Sequence, residues 1–339
     1  MQLTLVVPGL LDLAETAPAE ADAAGAALAR LLASERAPAA GAGAIGTLCT
    51  ALGIARQRDW PVAPLLAAAA NLDPGNAYWL RAEPVMLVAG LHDVRLAAIV
   101  EDLSADEAAA LQATLNSHFF GDDLRFYAMH PARWLIAAAG VQDLDTNPAD
   151  EALGAPIGPF LPTGPDAPRW RRWQSEMQML LFEHPVNAAR ERAGRLQANG
   201  VWVSGGGRGV GAPVRPRIAS LYTDDAVQTD LARACGVAPA PLPPSLAAWQ
   251  DSRPDLPSMV WLPDMRVNDG RAALAALDDR WAAPLATALA TRAITQVAVV
   301  VTGRGRDLSF TPHRPSLVSR LRGRLASPRL STLLAAGPG

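Results

Sequence analysis

An unbroken apolar run, Val297–Val301, constrains the fold of this sequence more than any other feature. Its residues are all Val or Ala, and a run without a polar face is typical of a central parallel strand buried on both sides. Gln2–Val7 gives a second strand pattern, which Pro8-Gly9 ends. Because strands alternate with helical patterns at both ends of the chain, we predict an α/β fold with a mostly parallel sheet.

The middle of the chain has a different pattern. Extended segments are predicted at Ala77–Val88 and Val94–Val100, and Ser104-Ala-Asp-Glu107 is a capping box that begins a helix. Two further strands, Leu124–Met129 and Arg133–Ala138, follow this helix. This order of elements predicts an α+β unit that interrupts the larger domain.

The composition excludes several kinds of chemistry. All 30 Lys and Arg residues are Arg, which excludes a Schiff base, a lysine general base and a Walker-type phosphate loop. Cys49 and Cys235 are too few for a disulfide framework or a cysteine-rich zinc site. The net charge of -3 provides no global attraction for nucleic acid or an acidic membrane. Since we find no signal-peptide pattern and no strongly apolar stretch, we expect a cytoplasmic protein without a membrane partner.

A glycine-rich segment, Gly205–Gly211, follows a predicted strand at Asn199–Ser204. Its glycines do not match the spacing of a dinucleotide-binding loop, and Pro213 stands where a helix should begin. We interpret the segment as a strand-end loop that needs positive φ angles. Phosphate binding by the glycine amides together with Arg208 stays open as an alternative.

Two regions of the sequence resemble the archaeal-type cofactor-independent phosphoglycerate mutases. The first region carries Ala77-Tyr-Trp-Leu-Arg-Ala-Glu-Pro84, Asp93-Val-Arg95, Leu103-Ser-Ala-Asp-Glu-Ala-Ala109, Leu124-Arg-Phe-Tyr127 and Arg133-Trp-Leu135. The second carries His184-Pro-Val-Asn187, Arg190, Gly194 and Ala198-Asn199 to Gly207. Within this family the sequence most resembles a proteobacterial group of mutase-like proteins labelled regulatory proteins of a pathogenicity-factor cluster.

The resemblance implies an alkaline-phosphatase-like core with an inserted α+β domain. The core is then discontinuous, over residues 1–70 and 155–325, with the insertion over 71–154 and a tail over 326–339. In the family, two metal ions, usually manganese, activate a serine that carries the phosphoryl group. Arginines of the insertion hold the phosphate and the carboxylate of the substrate, as guanidinium groups can do with paired hydrogen bonds.

The sequence departs from the family where the catalytic groups belong. Val6-Val-Pro-Gly9 lacks the metal-binding Asp after the first strand, and Thr47 or Thr50 stands in place of the serine. Pro263–Asp269 lacks the Asp-x-x-x-His pair, and Thr302-Gly-Arg-Gly-Arg306 replaces Thr-Gly-Asp-His. Cations in this last segment would repel a bound metal ion. We therefore predict no catalytic residue, no metal ligand and no cofactor.

These observations lead to the hypothesis of a catalytically degenerate bacterial protein with a regulatory role. It would bind a small phosphorylated metabolite and report this to a protein partner. The candidate anion-binding residues are Arg81, Arg95, Arg133, Asn187, Arg190 and Arg208. Structural roles for these side chains remain equally open, because Arg also pairs with carboxylates within folds.

Two alternatives remain open. The first is an active manganese-dependent phosphomutase or phosphatase with a rearranged site, whose ligands would come from Asp224, Asp225, Asp264, Asp269 and His313. The second is an interaction protein that binds a protein or nucleic acid through two Arg-rich features. These are the segment Arg304–Arg329 and the helix that carries Trp170 and Trp173. The low net charge makes nucleic acid the less expected partner.

Overall fold

The chain forms two compact units in the computed structural model. The structure describes residues 2–37, 43–140, 142–209, 215–252, 257–266, 269–313 and 328–335. The first unit combines Met1–Gly53 with Arg215–Gly339, and the second comprises Ile54–Val214. The strands, numbered along the chain, are β1 (Gln2–Val7), β2 (Glu35–Ala37), β3 (Tyr78–Ala89), β4 (Val94–Ile99), β5 (Leu124–His130), β6 (Arg133–Ala138), β7 (Gly200–Arg208), β8 (Ser220–Tyr222), β9 (Ala238–Ala240), β10 (Ser258–Trp261), β11 (Gln296–Gly303) and β12 (Arg306–Thr311).

The α-helices are numbered in the same way. They are α1 (Leu10–Thr16), α2 (Pro18–Ala24), α3 (Ala26–Leu32), α4 (Gly43–Ala51), α5 (Val62–Ala69), α6 (Ala105–His118), α7 (Ala149–Ala152), α8 (Ala167–Phe182), α9 (Pro185–Arg192), α10 (Ala226–Ala234), α11 (Leu246–Asp251), α12 (Gly270–Leu277), α13 (Ala283–Thr291) and α14 (Leu330–Ala335). Short 3₁₀ helices lie at Phe119–Asp122 and Gly158–Phe160, and a π-helical turn at Asp278–Ala282 joins α12 to α13. No helix in the described part of the chain is both long and apolar enough to cross a membrane.

The first unit is built on a sheet with the strand order β2-β12-β11-β1-β10-β8-β9. The strands from β11 to β9 pair in parallel, whereas β12 is antiparallel to β11 and to β2. The core contains Leu3, Leu5 and Val7 of β1 together with Val299 and Val301 of β11. Burial of each such side chain contributes roughly 1.5–3 kcal/mol. The predicted α/β class with a largely parallel sheet is therefore confirmed.

The apolar run at Val297–Val301 forms β11, as predicted, but only one of its neighbours is parallel. β1 pairs with it in parallel, and β12 pairs with it in antiparallel fashion. The reason is local: β11 and β12 are joined by a two-residue turn in which Gly305 has a φ of 66°. Such a short connection can join only antiparallel strands.

The second unit contains a separate antiparallel sheet around the long strand β3. One edge of β3 pairs with β6 and then with β4, while its other edge pairs with β7. Helix α6 begins at the predicted capping box, since the Ser104 hydroxyl accepts from the amide of Glu107 and the Glu107 carboxylate accepts from the amide of Ser104. The core of this unit includes Leu80, Trp134 and Trp170.

The second unit is longer at both ends than the insertion predicted at 71–154. It gains α5 before β3, and it gains α8, α9 and β7 after the predicted end. The pairing of β7 with β3 along most of the length of β7 gives the physical reason. At the other end of the chain, the predicted tail contains α14, whose Leu330 and Leu334 are buried in the core of the first unit.

Candidate functional site

The carboxyl ends of β1, β10 and β11 meet at one edge of the parallel sheet in the first unit. In open sheets of this kind, ligands bind at that edge. Three side chains occupy it and are called the edge cluster here: Asp12 in the first turn of α1, and Asp264 and Arg266 after β10. Each of them is at most 18% exposed.

Arg266 lies between the two carboxylates of the edge cluster. Its Nη2 is 2.5 Å from Oδ2 of Asp264, and its Nε donates to both Asp264 oxygens at 3.0 and 3.1 Å. On the other side, its Nη1 lies 3.6 Å from Oδ2 of Asp12. The amide of Arg304 also donates to Oδ1 of Asp12 at 3.2 Å. A guanidinium group thus lies within ion-pair distance of both acidic side chains at this edge and offsets the charge of one of them.

Gly9 allows this close packing between the end of β1 and the edge cluster. Its φ is 73°, in the left-handed region. A Cβ atom at this position would also clash with Oδ1 of Asp264 and lie 2.9 Å from Cγ of Arg266. Because position 9 is a glycine, the side chains of Asp264 and Arg266 can lie close to the backbone at the end of β1.

The edge cluster does not fit the pair of metal ions that the family resemblance implies. A cation already lies between the two carboxylates, and no group of three or more His, Cys, Asp or Glu side chains in the described part of the chain is arranged to hold a metal. Thr47, the first candidate for the nucleophile, is 4% exposed, and its hydroxyl donates to the carbonyl of Gly43 at 3.1 Å. We therefore derive no metal-assisted step at this edge.

The ligands considered for a rearranged metal site have other roles. Asp225 and Asp269 cap α10 and α12 by accepting from backbone amides, and Asp224 accepts from the amide of Leu242. Asp264 belongs to the edge cluster. His313 is exposed at the limit of the described segment 269–313. Helix capping explains the positions of Asp225 and Asp269 without a metal.

In the second unit, two of the candidate arginines share one face of the sheet. Arg81 on β3 lies opposite Leu135 on β6, and Arg133, two residues before Leu135 in the same strand, points to the same side. Nη2 of Arg81 is 2.6 Å from Oε1 of Glu83, and these side chains are 15% and 13% exposed. Arg95 lies opposite Val88 and therefore on the other face, where it pairs with Asp93 at 3.3 Å.

Asn187 and Arg190 connect α9 to other segments of the second unit. The Asn187 amide group donates to the carbonyls of Leu181 and Ala198 and accepts from the amide of Ala198. The fully buried Arg190 side chain pairs with Asp102 and Glu107 and donates to the carbonyl of Leu196 at 2.6 Å. These contacts supply the structural role that the sequence left open for both residues.

The glycine-rich segment continues β7 rather than forming a loop before a helix. Gly205, with a φ of 65°, lies where the pairing of β7 with β3 shifts its register between Trp79 and Arg81. This is the geometry of a β-bulge that requires a left-handed glycine. The positive φ angle was predicted, but it serves a bulge within the strand. The positions from 210 to 211 lie outside the described residues.

The helix with tryptophan and arginine side chains belongs to the core. Trp170 is fully buried and Trp173 is 4% exposed, and their rings meet edge to face at 5.0 Å. Rings in such positions cannot stack on nucleic-acid bases, which favours core packing over the proposed interaction surface. Most of the other Arg-rich feature, Arg304–Arg329, lies outside the described residues, which break between 313 and 328.

Comparison with known proteins places the chain near the phosphoglycerate mutases. No protein-family model matches it. A 2,3-bisphosphoglycerate-independent phosphoglycerate mutase of Methanosarcina mazei is 33% identical over 107 residues, which is 31% of this chain and 27% of that enzyme. The mutase of the same name from Methanothrix thermoacetophila is 30% identical over 161 residues, which is 47% of this chain and 39% of that enzyme. The matched part thus spans well under half the length of these relatives.

Two solved structures align with most of the chain. A cofactor-independent phosphoglycerate mutase from Thermoplasma acidophilum aligns over 100% of this chain and 95% of its own, with a TM-score of 0.45 and 16% identity. A Pyrococcus horikoshii protein aligns over 91% and 86%, with a TM-score of 0.46 and 13% identity. The sequence matches confirm the predicted similarity to the phosphoglycerate mutases. The narrower resemblance to the proteobacterial regulatory group stays a prediction.

Proposed function

We propose that this protein is a catalytically degenerate relative of the cofactor-independent phosphoglycerate mutases, with an alkaline-phosphatase-like core. In this proposal it acts in the bacterial cytoplasm as a regulatory protein, like the proteobacterial group that its sequence resembles. It binds a small phosphorylated metabolite and reports the bound state to a protein partner. The observation that carries the proposal is the position of Arg266 between Asp12 and Asp264.

Electrostatics explain why the edge cluster opposes a phosphoryl-transfer site of the two-metal type. A divalent ion about 4 Å from a guanidinium charge meets a repulsion of roughly 8 kcal/mol at an effective dielectric constant of 20, which offsets the attraction of one of the two carboxylates. Here the nearby carboxylates are already paired with Arg266 at 2.5 to 3.6 Å. The Thr47 hydroxyl is buried and bonded to a carbonyl. These residues therefore provide neither a pair of metal ions for the phosphoryl oxygens nor an exposed nucleophile.

The active-enzyme alternative has less support. It requires manganese ligands, and three of the five candidates, Asp224, Asp225 and Asp269, accept hydrogen bonds from backbone amides. A site assembled from them would leave two helix ends without their caps, at a cost of about 1 kcal/mol each.

Arg81 and Arg133 supply the anion-binding part of the proposal. They lie on one face of an antiparallel sheet, where two guanidinium groups can hold a phosphate through paired, charge-assisted hydrogen bonds. The ion pair between Arg81 and Glu83 keeps the Arg81 side chain in place without a ligand. An incoming phosphate must compete with Glu83, which favours ligands with more than one negative charge.

Calorimetry with 3-phosphoglycerate tests this proposal. We expect saturable binding by the full chain and a loss of about tenfold or more in affinity in Arg81→Ala, since a charge-assisted hydrogen bond contributes at least about 1.4 kcal/mol. Arg172→Ala is the matched control, because Arg172 is an exposed arginine on α8 that pairs with Glu176. No heat at millimolar ligand, or equal losses in the two variants, would refute the binding function.

A further inference from the structure

His184 joins the end of α8 to the start of α9 and occupies the N-cap position of α9. Its Nδ1 atom accepts from the backbone amide of Val186 at 3.2 Å. Its carbonyl accepts from the amides of Asn187 and Ala188 at 2.9 and 3.2 Å. Pro185, the first residue of the helix, has no N–H group. His184 thus supplies a partner for each free amide in the first turn of α9.

The other ring nitrogen of His184 faces a second helix. Nε2 lies 3.1 Å from Oγ1 of Thr114 on α6. Because Nδ1 accepts a hydrogen bond from an amide, the hydrogen of the neutral ring is on Nε2 and donates to Thr114. In this tautomer Nε2 cannot take a proton from the hydroxyl, so the pair is not a general base with its nucleophile. The contact instead connects α6 to the corner between α8 and α9.

Protonation of His184 is incompatible with this arrangement. An imidazolium ring carries a hydrogen on both nitrogens, so Nδ1 can no longer accept from Val186. Two N–H groups would then face each other across the 3.2 Å between Nδ1 and the amide nitrogen. The positive charge would also lie at the N-terminus of α9, where the helix dipole disfavours cations. Burial lowers the pKa of His184, in the same direction as these two effects.

The titratable and charged side chains around this corner pair with other groups or are exposed. They are Glu107 and His118 on α6, Glu176 on α8, Glu183 at the end of α8, Arg190, Glu191 and Arg192 on α9, and Arg195 after it. Among the contacts of the described residues, none joins the His184 imidazole to a charged side chain. Glu183 directly precedes His184, so its charge is the one that an experiment must separate from the helix cap.

We propose that His184 is a pH-sensitive latch, which keeps the first turn of α9 capped only while its imidazole is neutral. The pKa of His184 is lower in the folded protein than in an opened chain, so the opened form binds more protons. The stability that the cap contributes is therefore fully present above about pH 6.5, the ordinary value for histidine. It is lost as the pH falls below that value.

Release of this turn affects the rest of the corner. The side chain of Asn187 on α9 donates to the carbonyls of Leu181 and Ala198 and accepts from the amide of Ala198. These bonds hold the segment that leads into β7. An acidic pH thus loosens the connection between the end of α8 and the start of β7. The inference involves neither Arg81 nor Arg133, so it is independent of the proposed function.

Hydrogen exchange at the Val186 amide of the full chain, measured by NMR, tests the inference. In the wild type, we expect the protection factor to fall about five- to tenfold between about pH 7.5 and about pH 5.5, because one extra proton on the open form shifts an equilibrium by up to about tenfold per pH unit. His184→Asn should show no such fall, since Asn caps a helix without titrating. His118→Asn and Glu183→Gln are the matched controls and should respond to pH as the wild type does.

The imidazole ring provides a second measurement, which needs no variant. NMR spectra of the ring nitrogens of His184 should show a neutral ring with its hydrogen on Nε2, and a titration midpoint below the ordinary value of 6.5. A hydrogen on Nδ1 at neutral pH, or a midpoint at or above 6.5, would overturn the latch. An equal fall of Val186 protection in the wild type and in His184→Asn would overturn it as well.

Discussion

Replacement of Arg266 by Met should lower the free energy of unfolding of the first unit by about 3 kcal/mol, the lower end of the range for breaking a buried ion pair. The variant leaves the carboxylates of Asp12 and Asp264 in place, 12% and 18% exposed, without the cation between them. Met conserves much of the apolar stem, so the loss reports mainly on charge. Urea unfolding followed by tryptophan fluorescence measures it, since Trp249 and Trp281 are buried in this unit.

Arg271→Met provides the matched control for Arg266. Arg271 is exposed on α12, so its replacement should change the stability by no more than about 0.5 kcal/mol. If Arg266→Met were equally mild, the carboxylates of the edge cluster would not depend on the guanidinium group. The position of Arg266 between Asp12 and Asp264 would then no longer support the proposed function.

Replacement of Arg190 by Met should cost the second unit about 3 kcal/mol, because the Arg190 side chain is fully buried and its partner Glu107 is only 17% exposed, whereas its other partner, Asp102, is open to solvent. Burial alone would raise the pKa of Glu107, but the amide of Ser104 and the charges of Arg190 and Arg195 together hold this pKa below its usual value. Loss of Arg190 therefore removes a main partner of this carboxylate. It also removes the bond to the carbonyl of Leu196.

Arg192→Met is the control for Arg190. It lies two residues later on the same helix, is exposed, and donates only to the carbonyl of Ala188 at 3.1 Å among the bonds that the described residues show. We expect a loss below about 0.5 kcal/mol for this variant. Similar losses for Arg190→Met and Arg192→Met would show that the buried ion pairs do not stabilise the unit.

Local patterns in the sequence predicted the elements that depend on local physics. The apolar run at Val297–Val301 predicted β11, and the Ser104–Glu107 capping box predicted the start of α6. The positive φ angle in the glycine-rich segment was predicted as well, at Gly205. The apolar run and the capping box depend on neighbours within a few residues, which a single sequence displays, whereas the φ angle of Gly205 belongs to a bulge set by the pairing of β7 with β3.

Contacts between distant segments could not be predicted in this way. The edge cluster joins Asp12 to Asp264 and Arg266, which meet only because β1 and β10 pair in parallel. Asp264 and Arg266 stand two positions apart shortly after β10, and this spacing could have indicated the ion pair between them. The position of Arg81 on the same face as Arg133 depends in the same way on the register between β3 and β6.

Manganese binding by the purified full chain tests the central claim most directly. After dialysis against a manganese salt, crystals examined by anomalous diffraction should show no pair of ions at the edge cluster, because the Arg266 guanidinium group already lies between Asp12 and Asp264. The same preparation should not convert 3-phosphoglycerate to 2-phosphoglycerate. Two fully occupied manganese ions beside Asp12 and Asp264, with turnover of 3-phosphoglycerate, would contradict the claim that this site has lost its catalytic function.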